Sequence, residues 1–224
     1  MERYKKNIEL LQNNNVYSKE MEHDACGVGL VASTQGKKSR EVVEYGIEAL
    51  KAVWHRGAVD ADGKTGDGAG IHLEIPKDFF IEKIEITGHK FDNAEICVGM
   101  IFLPRNNFES QETSRTIIER ELTRSNFSIY GWRQVPVNPK VLGEKADSTR
   151  PEIAQVLFKH NEIDRNGKDL ERRLYETRRK IENEAIKNSL DGLYICSLSS
   201  KSIIYKVMFL AESISDFYID LQDK

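Results

Sequence analysis

The rhythm of hydrophobic and polar positions changes sharply near residue 26. Residues 1–25 are polar and Asn-rich (Asn13-Asn14-Asn15), with helical periodicity for no more than a turn or two, the pattern of a leader outside any core. From there Cys26-Gly27-Val28-Gly29-Leu30-Val31-Ala32 reads as a buried strand, its two glycines marking the close approach of another backbone. Arg40 to Trp54 places Val42, Val43, Ile47, Leu50 and Val53 at helical spacing. Gly70 to Ile75 alternates as a second strand that Pro76 stops, Lys77 to Phe80 begins a short helix, and Ile96 to Phe102 predicts a third strand before Pro104.

Further along, Glu109 to Leu122 is helical, and Phe127 to Arg133 and Ile153 to Phe158 are strands joined by a connection containing Pro136 and Pro139. Leu170 to Asn188 is the longest amphipathic helix. Tyr194 to Leu198 and Ser202 to Lys206 predict a hairpin around Ser199-Ser200-Lys201, and Met208 to Phe217 a last helical segment. Strands in hairpin-like neighbours with helices between pairs predict an α+β class with antiparallel sheets. The sequence stops at Leu221-Gln222-Asp223-Lys224 directly after that segment, which predicts sheet edges awaiting a closing element.

Composition narrows the function. The 224 residues suit one large domain or two small ones, and 39% apolar content supports a real core. Lys+Arg 33 against Asp+Glu 36 leaves −3, with both signs interspersed, so no basic stripe for nucleic acid and no polybasic membrane anchor stand out. The most basic stretch, Glu171 to Lys180, interleaves acids and bases at helical spacing and reads as a solvated helix face. The start, Met1-Glu2-Arg3-Tyr4-Lys5-Lys6, is not that of a signal peptide. Of the three cysteines, Cys97 and Cys196 sit inside apolar runs and read as core thiols of a reducing compartment, so a cytoplasmic location is expected.

Three motifs come near a chemistry and miss it. Gly66, Gly68 and Gly70 precede a strand, whereas a dinucleotide fingerprint follows one and opens a helix. Five residues separate Gly57 from Gly63-Lys64-Thr65 instead of the P-loop's four, and the flanking strand and helix are missing. His23, Cys26 and His55 lack the second ligand pair of a closed zinc site, so no metal ligands are assigned.

Cys26 is the candidate nucleophile. The plain reading is a core cysteine at a strand start. A cysteine attacks as thiolate, however, and only about a few per cent is ionised at neutral pH without help. If the leader is removed, Cys26 becomes the first residue, and its α-amino group, with an ordinary pKa of about 8, can relay the proton. A short leader, a nucleophile at a strand edge and small residues behind it are what this design requires, and all three are present. A second element, His55-Arg56-Gly57, ends a helix; helix electrostatics and a Gly cap account for it in part.

Together, Cys26-Gly27-Val28-Gly29, His55-Arg56-Gly57 and Thr65-Gly66-Asp67-Gly68-Ala69-Gly70 before Ile75-Pro76 resemble the class II glutamine amidotransferases. Within these, the sequence is similar to the large subunit of glutamate synthase. Gly131-Trp132-Arg133-x-Val135-Pro136, Leu142-Gly143-x-x-Ala146, Pro151-x-Ile153-x-Gln155, Tyr194 to Ser200, Tyr205-Lys206 and Phe217-Tyr218-x-Asp220-Leu221 extend the likeness from His23 to Asp223. One departure is Val207, where the family usually has Gly.

The resemblance implies a four-layer αββα N-terminal-nucleophile hydrolase sandwich, with residues 1–25 as propeptide and 26–224 as the front of the amidotransferase domain. It implies hydrolysis of L-glutamine to glutamate and ammonia through a thioester on Cys26, with Arg56 and Gly57 shaping the pocket and no chemical role for Arg56. In the full enzyme the ammonia aminates 2-oxoglutarate on a distant barrel carrying FMN and an iron–sulphur cluster, with electrons from NAD(P)H or ferredoxin. Partners are then the rest of the large subunit and a small electron-donating subunit; no cofactor is implied for residues 26–224. The family's carboxylate-holding Arg and its oxyanion Asn-Gly pair would follow Lys224. An oxyanion donor is worth about a hundred- to a thousandfold in rate, so these residues alone are expected to hydrolyse little glutamine. Two other readings stand beside this one: a stand-alone Cys amidohydrolase of the same nucleophile type, and a non-catalytic module that binds or dimerises.

Overall fold

Ile96-Cys97-Val98-Gly99-Met100-Ile101-Phe102-Leu103 is apolar throughout because it is covered on both faces. Its odd-numbered Cys97, Ile101 and Leu103 join one buried cluster, and the even-numbered Ile96, Val98 and Met100 join another. The computed structural model describes residues 2–14, 27–92, 95–162 and 168–223. Their helices are α1 (Glu2–Asn13), α2 (Arg40–Ala52), α3 (Lys77–Ile86), α4 (Phe108–Arg124), α5 (Glu144–Thr149), α6 (Lys168–Lys187) and α7 (Ile214–Phe217). The strands are β1 (Ala69–Glu74), β2 (Ile96–Leu103), β3 (Phe127–Gln134), β4 (Glu152–His160), β5 (Tyr194–Ser199) and β6 (Ser202–Val207).

Among the described residues the strand pairings are antiparallel and fall into two sheets, β3-β4-β2-β5 and β1-β6. Helices α4 and α6 cover one face of the larger sheet with Ile117, Ile118, Leu122, Leu170, Leu174 and Ile181. The other face meets Ile71 of β1 and Ile203 and Tyr205 of β6 across the main core, to which α3 adds Phe80 and Ile84. The chain is therefore α+β with antiparallel sheets, as the pattern predicts.

Local chemistry explains the helix ends. Asn107 caps α4 by accepting the Ser110 N–H at 2.9 Å. Beyond its C-terminus Asn126 takes φ +67°, a left-handed conformation that Asn tolerates better than most residues. Along α6, Leu170, Leu174, Thr177, Ile181 and Ala185 are buried at intervals of three and four. Arg172–Glu176 pair four residues apart on the outer side, and Arg178–Glu182 pair half-buried at the flank, where Arg178 also donates to the Ile195 carbonyl of β5. The basic stretch is a helix face, as expected.

Four expectations need correction. Residues 27–33 form no strand: Val28 and Leu30 are 88% and 92% exposed. The segment passes α2, where a Cβ on Gly29 would lie 3.9 Å from Ala49, and a helix has no free row of N–H and C=O groups to pair with. The predicted hairpin is a corner between sheets. Ser197 Oγ accepts the Ile204 N–H and Cys196 Sγ donates to the Ile204 carbonyl, so β5 side chains occupy β6 backbone groups that a hairpin ladder would use. Met208 and Phe209 are not helical; only Ala211–Ser213, as a 3₁₀ turn, and α7 are. Residues 2–13 form three turns of helix with largely exposed side chains, more order than the polar pattern predicts. Cys97 and Cys196 are both buried, and burial pushes both thiols up, Cys196 to about 11.

Candidate functional site

The helix that ends in His55-Arg56-Gly57 does so in two steps. α2 closes at Ala52, and Trp54–Arg56 tighten into a 3₁₀ turn in which the Gly57 N–H reaches the Trp54 carbonyl at 3.1 Å. Gly57 then leaves in extended conformation, φ −99° and ψ 145°. The next donor, the Ala58 N–H, is taken by the Asp67 carboxylate at 2.9 Å. Asp67 thereby ties the residue after Arg56-Gly57 to the far arm of the loop.

That loop is a small built object. Val59 and Gly66 form an antiparallel bridge, and the Asp60 N–H donates to the Thr65 carbonyl at 2.8 Å. Within it the Asp62 carboxylate accepts from the backbone N–H groups of Lys64 (2.9 Å) and Thr65 (2.7 Å) and from the Thr65 hydroxyl (2.6 Å). The Thr65 hydroxyl leads in lowering the Asp62 pKa to about 2, followed by the two backbone donors. Lys145 on α5 clasps Asp60 from outside at 2.7 Å, which lowers the Asp60 pKa and raises its own.

Two glycines are required here by space. A Cβ on Gly143, at the head of α5, would lie 2.0 Å from Asp62 Oδ2 and 2.3 Å from Thr65 Oγ1. A Cβ on Gly66 would lie 2.9 Å from the Phe209 carbonyl oxygen. Gly68, at φ +117°, turns the chain into β1, which pairs with β6 from Ala69↔Val207 to Glu74↔Ser202. Val207, the departure from the family pattern, is half-buried against the main core and completes that ladder.

A second network lies in the core. Arg133 donates to both oxygens of Asp220 and to Gln155 Oε1 (2.7 Å), while Tyr205 donates to Asp220 and accepts from Gln155, both at 3.4 Å. Glu171 on α6 accepts from the hydroxyls of Ser199 and Ser200 and from the Ser200 N–H at 2.7–2.9 Å, which pins the β5–β6 corner.

Of the residues expected to form the site, the backbone of Arg56 ends the 3₁₀ turn that follows α2, and Gly57 leaves it. Cys26 and the Arg56 side chain lie outside what is described, as does His23.

Comparison with known proteins gives the family. The family model described as Glutamine amidotransferases class-II matches residues 26–224, nearly the whole chain. The chain belongs to the class-II glutamine amidotransferases. It is 51% identical, over 99% of its length, to the glutamate synthase [NADPH] large chain of Azospirillum brasilense, of which it covers 14%. It is 38% identical over 91% of its length to the chloroplastic ferredoxin-dependent glutamate synthase of Oryza sativa subsp. japonica, covering 13% of that protein. To the glutamate synthase [NADPH] large chain of Bacillus subtilis (strain 168) it is 35% identical over 93% of its length, again covering 14%. The chain thus spans about a seventh of the relatives it matches.

Within this amidotransferase domain, sequence reasoning singled out the Thr65-to-Gly70 and Leu142-to-Ala146 motifs without assigning work to their residues. Asp67, Asp62 and Gly143 carry that work. Their signal was present, since an Asp three residues before a Thr in a Gly-rich loop is a local cap for backbone N–H groups. That Gly143 must be small to admit Asp62 had no local signal.

Proposed function

We propose that this chain is the glutamine-hydrolysing domain of a glutamate synthase, with Cys26 as nucleophile. The observation that carries the reading is that the family match begins at Cys26 itself and not at Met1. Residues 1–25 are then a propeptide, a role consistent with the exposed side chains of α1 ahead of the matched region. Once residues 1–25 are removed, the α-amine of Cys26 takes the thiol proton, and the thiolate attacks the glutamine side-chain amide. Ammonia leaves, carrying the proton returned by the amine, and water cleaves the thioester to release glutamate. Arg56 and Gly57 shape the glutamine pocket.

The finer architecture we assign is the αββα sandwich. Helices α4 and α6, the four-stranded sheet and the β1–β6 sheet supply three layers, and the exposed face of β1 at His72 and Glu74 receives the fourth. The ammonia goes to 2-oxoglutarate elsewhere in the larger enzyme, where FMN and an iron–sulphur cluster act. The described residues do not suit such a cluster. Cys97 and Cys196 belong to different buried cores with raised thiol pKa values, and no group of three His, Cys, Asp or Glu side chains among them converges on one point. Partners in this reading are L-glutamine, the rest of the large subunit and a small electron-donating subunit. In this reading the location is cytoplasmic, the reducing compartment that the free core thiols Cys97 and Cys196 suit. No described helix is long and apolar enough to cross a membrane.

The test is the mass of the N-terminal peptide of the complete gene product after treatment with an electrophilic glutamine analogue. A peptide beginning at Cys26 with one adduct, absent in Cys26→Ala, is the expected result. A peptide beginning at Met1 without adduct overturns the assignment.

A further inference from the structure

We infer that Asp67 is a positioning residue for glutamine binding, acting through the Arg56-Gly57 turn. The inference rests on the assignment of Arg56 and Gly57 to the glutamine pocket. Its basis is the geometry around Ala58. Gly57 leaves the 3₁₀ turn extended, so nothing in the helix fixes the direction of the chain from there on. The first contact that does is the Ala58 N–H to Asp67 Oδ2, at 2.9 Å and nine residues away.

Asp67 can serve as a fixed point because the backbone on both sides of it is held. On one side Gly66 lies so close to the Phe209 carbonyl that a Cβ would come within 2.9 Å, and it bridges Val59. On the other, Gly68 adopts φ +117° and Ala69 enters the ladder with Val207. The carboxylate therefore conveys the position of the β1–β6 sheet to the turn. A carboxylate accepting a backbone N–H is stronger and shorter-ranged in its tolerance than a neutral acceptor, which suits a contact that must hold one backbone angle. A displacement of about an ångström at such a site is enough to cost two orders of magnitude in rate. Asp67 itself is exposed, so its substitution leaves the core untouched.

The experiment compares glutamine hydrolysis by the complete gene product with that of its Asp67→Ala and Asp67→Asn variants. Active sites are counted by titration with the electrophilic glutamine analogue, and Ala58 amide exchange is followed. In Asp67→Ala, KM for glutamine should rise about tenfold with kcat per active site changed less, and Ala58 should exchange faster. Asp67→Asn, which keeps an acceptor oxygen, should return KM to within about threefold. A merely structural Asp67 would lower the number of active sites and leave KM alone. An unchanged KM in Asp67→Ala therefore overturns the inference, whatever happens to kcat. Absence of turnover in the unsubstituted protein is a different outcome: it overturns the glutaminase reading and the inference with it.

Discussion

Arg133 and Asp220, 87 residues apart in the chain, face each other as a two-pronged ion pair, Nη1 to Oδ2 at 2.7 Å and Nη2 to Oδ1 at 2.5 Å. Both side chains are largely buried, at 14% and 6% exposure. The pair joins the edge strand β3 to the turn after α7, and Gln155 and Tyr205 complete its polar surroundings from β4 and β6. Four of the short motifs that carry the family resemblance thus meet in one network.

Removing one partner leaves a buried charge uncompensated. Arg133→Met or Asp220→Ala should each lower stability by about 3–5 kcal/mol in urea unfolding. The double variant should cost clearly less than the sum, since the second change removes the orphaned charge. Strict additivity would mean that the pair does not act as a unit.

Gly143→Ala should destabilise by about 1–3 kcal/mol, because the new methyl group overlaps a carboxylate that three hydrogen bonds hold in place. Thr65 Oγ1 would lie only 2.3 Å from the same methyl group, so relief needs both neighbours removed: in an Asp62→Ala, Thr65→Ala background the same substitution should be nearly silent. A thermal-unfolding cycle across the four proteins decides the point.

The Asp62 loop should respond to acid in a defined window. Its carboxyl pKa is lowered from 3.8 to about 2 in the folded chain, so its contribution is fully present above about pH 4 and is lost as pH falls through about 2. The Thr65 amide resonance should therefore titrate with a midpoint near the lower value, and Asp62→Asn should abolish that titration. A midpoint at the ordinary carboxylate value would show that the Thr65 contacts do not persist in solution.

Glu171→Ala should cost about 1–3 kcal/mol and accelerate exchange at the Ser200 amide before that of β2, since the β5–β6 corner loses three hydrogen bonds while the sheet core keeps its own. Equal acceleration in β2 would place the effect on global unfolding instead.

In a Cys26→Ala background, Cys97 and Cys196 should resist a thiol-specific alkylating agent at pH 8 and react promptly in urea. Burial excludes the reagent and raises both thiol pKa values, so little thiolate exists in the native state. Rapid native labelling of either would contradict the packing of its core.

The elements that sequence pattern located well are those whose burial follows a local period. β2 and β4 are apolar runs, α6 repeats at three and four, and both show their environment in their own residues. The elements misread are those whose partners are remote. Residues 27–33 carry an apolar alternation yet lie against a helix, and β5 and β6 have the turn of a hairpin yet enter different sheets because Ser197 and Cys196 engage the β6 backbone. The short exposed helix α5 was not anticipated at all, since its six residues hold one buried side chain, Ala146, and so give no period.

The sequence by itself determined the α+β class, the core strands, the long helices and, through short motifs in order, membership among the class-II amidotransferases. Only the tertiary structure decided which motif residue works on which: that Asp67 holds Ala58, that Gly143 is small because Asp62 occupies its side-chain space, and that Arg133 is answered by Asp220. The reason is physical. Periodicity and capping act over a few neighbouring residues and are written in composition, whereas a cross-chain hydrogen bond or steric fit depends on where two distant backbones come to rest, and no local stretch of sequence records that.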